Sequence, residues 1–203
     1  MSRSGVRVRL ATPDDVEALV TLAGEAREVG PVRSRAVGRR GPDGIRARCA
    51  RLLEDPEHRV LLAVDDAGGQ LMGAAVVSQD PVSGLLDPPS VYVSALLVSP
   101  ACRKRGAGRA LVAATAAVAE ELGVESVVVG VTPTGRDANR FFARLGFAPL
   151  VIRRIAPAAA LRRTLGPPES GVDLRTAASR RDGIRARTGL VRALPRPRVR
   201  RTG

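Results

Sequence analysis

The chain has 203 residues, 44% of them hydrophobic, enough for one domain with a sizeable core plus an appendage; a wholly disordered chain is excluded. Aromatics make up only 2%, so the core must rest on Ala, Val and Leu. The net charge of +13 is unevenly spread: from Pro157 onward twelve Arg stand against Glu169, Asp173 and Asp182, so residues 157–203 make the charge extreme and residues 1–156 are only mildly basic.

Val6 to Leu10 alternates apolar residues with Arg, which predicts a half-exposed strand. Thr12-Pro13-Asp14-Asp15 predicts a helix start: Thr12 caps, Pro13 suits the first helical position, and the acids face the positive end of the dipole. Val16, Leu19, Val20 and Ala23 form the buried stripe of that helix. Gly30 to Gly41 reads as a loop. Ile45, Cys49, Leu52 and Leu53 give a second helix, closed before Asp55-Pro56. Arg59–Val64 and Leu71–Val77 flank Asp66-Ala67-Gly68-Gly69 and predict an antiparallel hairpin. A loop follows from Ser78 to Pro89, then a strand from Val91 to Val98.

Gly106 to Leu122 predicts a helix with Leu111, Ala114, Val118 and Leu122 on one face and Gly123 as its stop. Ser126–Val131 reads as a strand, Gly135–Leu145 as a short helix ended by Gly146, and Phe147–Ile155 as a last strand. Ala158 to Leu165 predicts a helix broken by Gly166-Pro167-Pro168, and the Pro195-Arg196-Pro197-Arg198 end suits no packed element. The domain is therefore placed at 1–156, with 157–203 an Arg- and Pro-rich basic tail, partly helical or disordered. Cys49 and Cys102 lack metal-type spacing, which points to reduced thiols, a cytoplasmic location and no metal. Met1–Arg9 lacks an apolar signal core, and no run approaches about 18 apolar residues, so no membrane span is expected.

The chemistry concentrates in Leu96-Leu97-Val98-Ser99-Pro100-Ala101-Cys102-Arg103-Lys104-Arg105-Gly106-Ala107-Gly108-Arg109. A buried strand feeds a glycine-containing turn that opens into a helix. The first helical N–H groups lack intrahelical partners, and the dipole makes that end positive. Gly106 and Gly108 leave room for a close anion, and Arg103, Lys104, Arg105 and Arg109 add charge. Such a site suits a pyrophosphate. The Gly-x-x-x-x-Gly-Lys-Ser/Thr loop of nucleotide hydrolases is absent, and so is the third glycine of a dinucleotide fingerprint.

Leu-x-Val-x-Pro followed by Arg-x-x-Gly-x-Gly and a helix resembles the acetyl-CoA-binding motif of the GNAT superfamily of N-acetyltransferases. Asp137-Ala138-Asn139-Arg140-Phe141-Phe142-Ala143-Arg144-Leu145-Gly146-Phe147 resembles that family's second signature, a helix ending in Leu-Gly-Phe. The likeness covers residues 5–156. It implies an α/β domain with a mixed, mostly antiparallel central sheet flanked by helices on both faces. It also implies acetyl transfer from acetyl-CoA to an amine by direct attack. Backbone groups of Leu96, Leu97 and Val98 would bind the pantetheine arm as an added strand, and Arg103 to Arg109, Ala107 included, would bind the pyrophosphate. Asn139 shares a helix face with Phe142 and is a candidate CoA contact; a solvent-facing Asn is an equal reading.

Three frequent functional positions of that family are chemically empty here. Phe142 stands where many members carry a proton-donating Tyr, Gly135 where an Asn often precedes the helix, and Gly130 where some carry a general-base Glu. Loss of a positioned acid or base costs about 10²–10⁴ in rate. Tyr92, the sole tyrosine, lies where another branch places its catalytic Glu; it is the candidate catalytic residue, relaying a proton from the amine through water, against the plain reading of a half-buried strand tyrosine. His58 reads as a surface residue, and no partner activates Cys102.

The expected partners are a small-molecule or peptide amine, nucleic acid touched weakly through the tail, and a second copy in a homodimer. The competing reading is a catalytically weak or inactive acyl-CoA-binding protein whose basic tail contacts nucleic acid or the ribosome. A purely tail-driven nucleic-acid binder ranks last, for the domain shows no aromatic stacking stripe.

Overall fold

The computed structural model describes residues 5–29, 41–79, 89–132, 135–150 and 156–166. The chain falls into two units, Met1–Ile152 and Arg153–Gly203. In the first, strands β1 (Val6–Leu10), β2 (His58–Asp65), β3 (Leu71–Gln79), β4 (Ser90–Val98) and β5 (Ser126–Val129) form one sheet in that order. The first four are antiparallel to their neighbours, and β5 joins β4 in parallel. Helices α1 (Val16–Val29) and α2 (Pro42–Glu54) follow β1, α3 (Ala107–Glu121) links β4 to β5, and α4 (Arg136–Ala143) follows β5. The second unit contributes α5 (Ala158–Leu165). The expected mixed, mostly antiparallel sheet is what the chain forms.

Alternation along the strands builds two cores. Val60, Leu62, Val64 and Ala74 pack under Leu19 and Leu22 of α1, joined by Cys49, Leu52 and Leu53 of α2. Leu61, Ala63, Ala75, Val77, Val91 and Val93 face the other way, onto Ala107, Leu111, Val118 and Ala119 of α3. Helices thus cover both faces. Two ion pairs brace the elements: Arg46 of α2 holds Glu17 of neighbouring α1 at 2.6 Å, and Arg59 of β2 holds Glu121 of α3 at 2.7 Å. Exposed pairs of this kind are individually worth little and act mainly on orientation.

Most predicted boundaries coincide with observed ones to within a few residues. The start of the first helix is tied down at Asp15 rather than by a Thr12 side-chain cap: Thr12 donates its backbone N–H to the Asp15 carboxylate at 2.8 Å, and Arg9 holds that carboxylate bidentately. This holds the Asp15 carboxyl well below its ordinary range, the Arg9 hydrogen bond being the largest cause. Three readings need correction. Leu22 rather than Val20 is the deeply buried member of the α1 stripe, since a step of three from Leu19 stays on the line facing the sheet. Leu122 is exposed, because the helix closes before it and Val124 turns inward instead. Finally, the described part of the expected last strand, Phe147 to Leu150, lies in no strand; residues 151–155 fall outside the described residues. The loop readings at 30–40 and 80–88 also fall outside them, as does the tail after Gly166.

Candidate functional site

The site begins where β4 and β5 part. Their parallel register runs from Ser90–Ser126 to Val93–Val129, and a last long contact joins the Gly130 N–H to the Val93 carbonyl at 3.5 Å. At the same level β4 carries a bulge against β3: Val76 pairs with Ala95 but Val77 with Val93, so Ser94 is an extra residue. Bulges bend a strand and increase its twist. Beyond Ser94, β4 pairs with β3 alone among the described strands. Ser99 donates its N–H to the Met72 carbonyl at 2.9 Å. By antiparallel alternation Leu97 turns its backbone groups to β3, while Leu96 and Val98 turn theirs to the side that β5 has left. Two of the three expected backbone positions therefore line the opening. The third, Leu97, packs its side chain under α1.

The loop that follows is shaped to expose donors. Lys104 has φ +60° and Gly106 has φ +96°, so left-handed residues alternate with others, the backbone pattern of an anion nest. Gly106 precedes the helix without a side-chain cap, and the first backbone bond inside it runs from Ala110 N–H to the Gly106 carbonyl. The N–H groups of Ala107, Gly108 and Arg109 are thus left over at the positive end of α3. Arg103, Lys104 and Arg109 are exposed and make no ion pair among the described residues.

Arg105 behaves differently. Its guanidinium donates to Asp65 Oδ2 at 2.8 Å and approaches Cys102 Sγ at 3.9 Å. Asp65 also accepts from the Ala67 N–H at 3.0 Å. The loop is thereby latched to the end of the β2–β3 hairpin, forty residues away in sequence. Sequence reasoning missed Asp65, and no local signal marks it. The Ala67 N–H first, then Arg105, lower the Asp65 pKa. A depressed carboxylate stabilises the fold above its unfolded pKa, and that stabilisation is lost as pH falls through the folded value. The wild-type Tm is expected to drop as pH falls below about 4, and Asp65→Asn is expected to flatten that slope. Thermal melts at graded pH check this, and an unchanged slope in the variant refutes it.

Gly108 has a second reason to be glycine. A Cβ there would lie 3.3 Å from Cζ of Phe141 and 3.6 Å from Cγ2 of Val98, so α4 leans its aromatic ring on the start of α3. Phe142 is buried instead, with its ring edge-on to Phe141 at 5.0 Å and to Phe147 at 5.3 Å. The spacing is that of a helix stop. Phe147 N–H bonds the Phe142 carbonyl, Gly146 N–H bonds the Ala143 carbonyl, and Gly146 has φ +89°. In this closure the residue after the glycine packs on the residue five before it. Asn139 donates its side-chain amide to the carbonyls of Thr132 and Gly135, at 3.0 and 2.9 Å, holding the turn into α4; among the described residues its Oδ1 makes no hydrogen bond.

Tyr92 is half-buried on β4, on the sheet face opposite Val91 and Val93. Its hydroxyl lies 2.7 Å from where a Cβ on Gly130 would stand. His58 is engaged near Asp55 at the turn into β2, 3.2 Å from its carboxylate. Cys102 is buried and Cys49 half-buried, both free, and burial pushes the Cys49 thiol up. Among the described residues no cluster of three His, Cys, Asp or Glu is arranged to hold a metal, and no helix is long and apolar enough to cross a membrane. A shallow concavity beside Ala116, Glu120 and Val127 lies at the far end of α3 from the loop.

Comparison with known proteins agrees with this architecture. An aminoglycoside N-acetyltransferase in complex with CoA superposes with a TM-score of 0.58 at 21% identity, over 75% of this chain and 95% of that one. A ribosomal-protein-alanine N-acetyltransferase from Brucella melitensis biovar Abortus 2308 gives 0.57 at 22%, over 75% and 99%. A transcriptional regulator from Bacillus halodurans C-125 gives 0.60 at 22%, over 75% and 99%. At these identities the likeness concerns the fold. A search of curated proteins finds no match. The sequence profile described as the acetyltransferase (GNAT) family matches residues 31–147, from before α2 through the Leu-Gly-Phe stop of α4. With that match over more than half its length, the chain belongs to the acetyltransferase (GNAT) family.

Proposed function

We propose that the protein transfers an acetyl group from acetyl-CoA to an amine. The observation that carries this reading is the parting of β4 from β5 after Val93, at the foot of an edge that leads straight into the donor-rich start of α3. The residues fit the cosubstrate. Leu96 and Val98 offer backbone groups to an extended amide-bearing arm, as a strand edge does. The N–H groups of Ala107, Gly108 and Arg109, with the side chains of Arg103, Lys104 and Arg109, suit a pyrophosphate; charge-assisted bonds of this kind are worth about 1.5–3 kcal/mol each. Arg105 acts from behind, fixing the loop through Asp65. Asn139 acts through the turn it holds, with its Oδ1 the remaining candidate contact to CoA.

When bound, acetyl-CoA supplies an activated thioester. The protein's part is to align it on β4, exclude water and admit a neutral amine for direct attack. The acceptor panel includes aminoglycosides and protein N-termini, chosen with the aminoglycoside and ribosomal-protein-alanine N-acetyltransferases of the same fold in view, together with amino acids and polyamines. Amine-dependent thiol release from acetyl-CoA tests the reading. Its absence throughout the panel, with no CoA binding by calorimetry, overturns it.

Phe142, Gly130 and Gly135 favour a second reading, an acyl-CoA-binding protein with little turnover. CoA binding without release across the panel selects it. The arginine-rich segment after Pro157 would then be the contact to nucleic acid or ribosome, and that affinity is expected to fall steeply with salt.

A further inference from the structure

Among the described residues two buried side-chain polar atoms lack a hydrogen bond, His58 Nδ1 and Glu25 Oε2. The histidine at least has the Asp55 carboxylate 3.2 Å away. The Glu25 side chain has no ion pair and no hydrogen bond to any described residue. A carboxylate oxygen shut off from water without a donor is costly, and a cation that reaches it removes the cost. Glu25 lies three residues after Leu22, beside the stripe that α1 buries. Val16, Val20 and Gly24 on one flank of that stripe are half-buried, while Ala18 and Thr21 on the other are exposed. Glu25 stands one turn on from Thr21 and two from Ala18, on the exposed flank.

The sheet fixes where that flank looks. Helix α1 runs closest to β4 and β3, and α2 closest to β2, so the flank of α1 away from α2 borders the edge of β4 that β5 has left. Along the strands, α1 starts beside Val60, whose carbonyl accepts the Ala11 N–H, and it reaches the Pro100–Cys102 turn after β4. Val60 is level with Val76 and Ala95. From Ala95 to Pro100 the chain advances by about 16 Å, which a helix covers in about 11 residues. Counted from Val16, this brings the last turns of α1, with Glu25 among them, to the end of β4. Leu97 packs under α1 there, whereas α3 covers the opposite face of the sheet. Glu25 thus borders the opening from the face opposite the cofactor loop.

We propose that the Glu25 carboxylate anchors a second amino group of the acceptor, so that the substrate is a di- or polyamine; the inference rests on the acetyl-CoA reading above. An alkylammonium is a compact cation with three donors, and it supplies the partner that Oε2 lacks. The other amino group, neutral, bonds the acetyl carbonyl carbon as the carbon–sulfur bond breaks, and its proton ends on the sulfur. The products are a monoacetylated polyamine and a free thiol; Glu25 exchanges no proton. A monoamine of the same length leaves the carboxylate unpaired, which is the source of the selectivity.

Calorimetry on the CoA-bound protein tests this, with α,ω-diamines of increasing length set against n-alkylamines of the same length. At least one diamine is expected to bind about tenfold or more tighter than its monoamine, the scale of one charge-assisted hydrogen bond. Glu25→Gln is expected to bring the two together while CoA affinity stays as in the wild type. No preference for a diamine in the wild type, or a preference that survives in Glu25→Gln, overturns the anchor and spares the acetyl-CoA reading. No CoA binding at all overturns both. In thiol release from acetyl-CoA, the same variant is expected to lose the diamine-over-monoamine ratio of kcat/KM. A fold measurement separates the anchor from a structural carboxylate. Glu25→Leu extends the apolar stripe and removes an unpaired charge, so its Tm without amine is expected to rise. The preferred diamine is expected to raise the Tm of the wild type and not that of Glu25→Leu. A lower Tm in Glu25→Leu would show that the carboxylate holds the fold together and overturn the proposal.

Discussion

Gly108→Glu is expected to abolish measurable CoA binding while the domain remains folded. The position lies in the first turn of α3, where three N–H groups are left without backbone partners and the helix dipole favours an anion. A carboxylate introduced there competes for those donors and repels the pyrophosphate. Two unit charges about 4 Å apart near a protein surface interact by about 4 kcal/mol, roughly three powers of ten in affinity. A steric contribution must be separated from this, since the new Cβ would approach Phe141 Cζ to 3.3 Å. Gly108→Ala is the control. It asks the end of one ring to yield a few tenths of an ångström and is expected to change CoA affinity by less than about tenfold. Calorimetry on the two folded variants decides. Undiminished affinity in Gly108→Glu would move the anion site away from the start of α3.

Both signatures that identified the family in the sequence are local structural devices. Leu-Gly-Phe is legible because a left-handed glycine and the apolar contact across it are encoded within six residues, Phe142 to Phe147. The Arg-x-x-Gly-x-Gly turn is legible for a related reason, since positive φ and a helix start are local requirements. What stayed hidden is non-local or register-dependent. The bulge at Ser94 adds one residue within Val-Tyr-Val-Ser-Ala-Leu-Leu-Val, and a run of small apolar residues reads the same with or without it. A second irregularity lies in the β2–β3 pairing, where Ala63 pairs with Gly73 but Val64 with Leu71, leaving Met72 extra. The Asp65–Arg105 latch joins the end of β2 to the loop before α3, distant in sequence, and no spacing rule reaches it. The fit of Tyr92 to Gly130 is likewise visible only once β4 and β5 are in register. The sequence could say that 130 was empty of a base, but not which hydroxyl stood beside it.

Leu111→Ala is expected to be the most destabilising single truncation near the site. Leu111 is fully buried in the second turn of α3, and its Cδ1 lies 3.4 Å from where a Cβ on Gly73 would be. It therefore rests on a stretch of β3 that has no side chain to follow it inward. Neighbouring Thr115 cannot fill the gap, for its hydroxyl is tied to the Leu111 carbonyl at 2.9 Å. Cores that cannot collapse pay most for a lost side chain; Leu→Ala at such positions costs about 2–5 kcal/mol. For a domain of this size each kcal/mol lowers Tm by about 2–4 °C, so a drop on the order of 10 °C is expected. The cofactor loop feels the change only indirectly. The N–H groups of Ala107 to Arg109 are anchored one turn earlier by Ala107, which is itself buried, and by the Arg105 latch to Asp65. CoA affinity of the folded fraction at low temperature is therefore expected to stay within about tenfold of the wild type. Differential scanning calorimetry and CoA titration on the same sample separate the two effects. A Tm loss below 3 °C or so would show that the core under α3 can close over the gap, against the rigid packing assigned to it here.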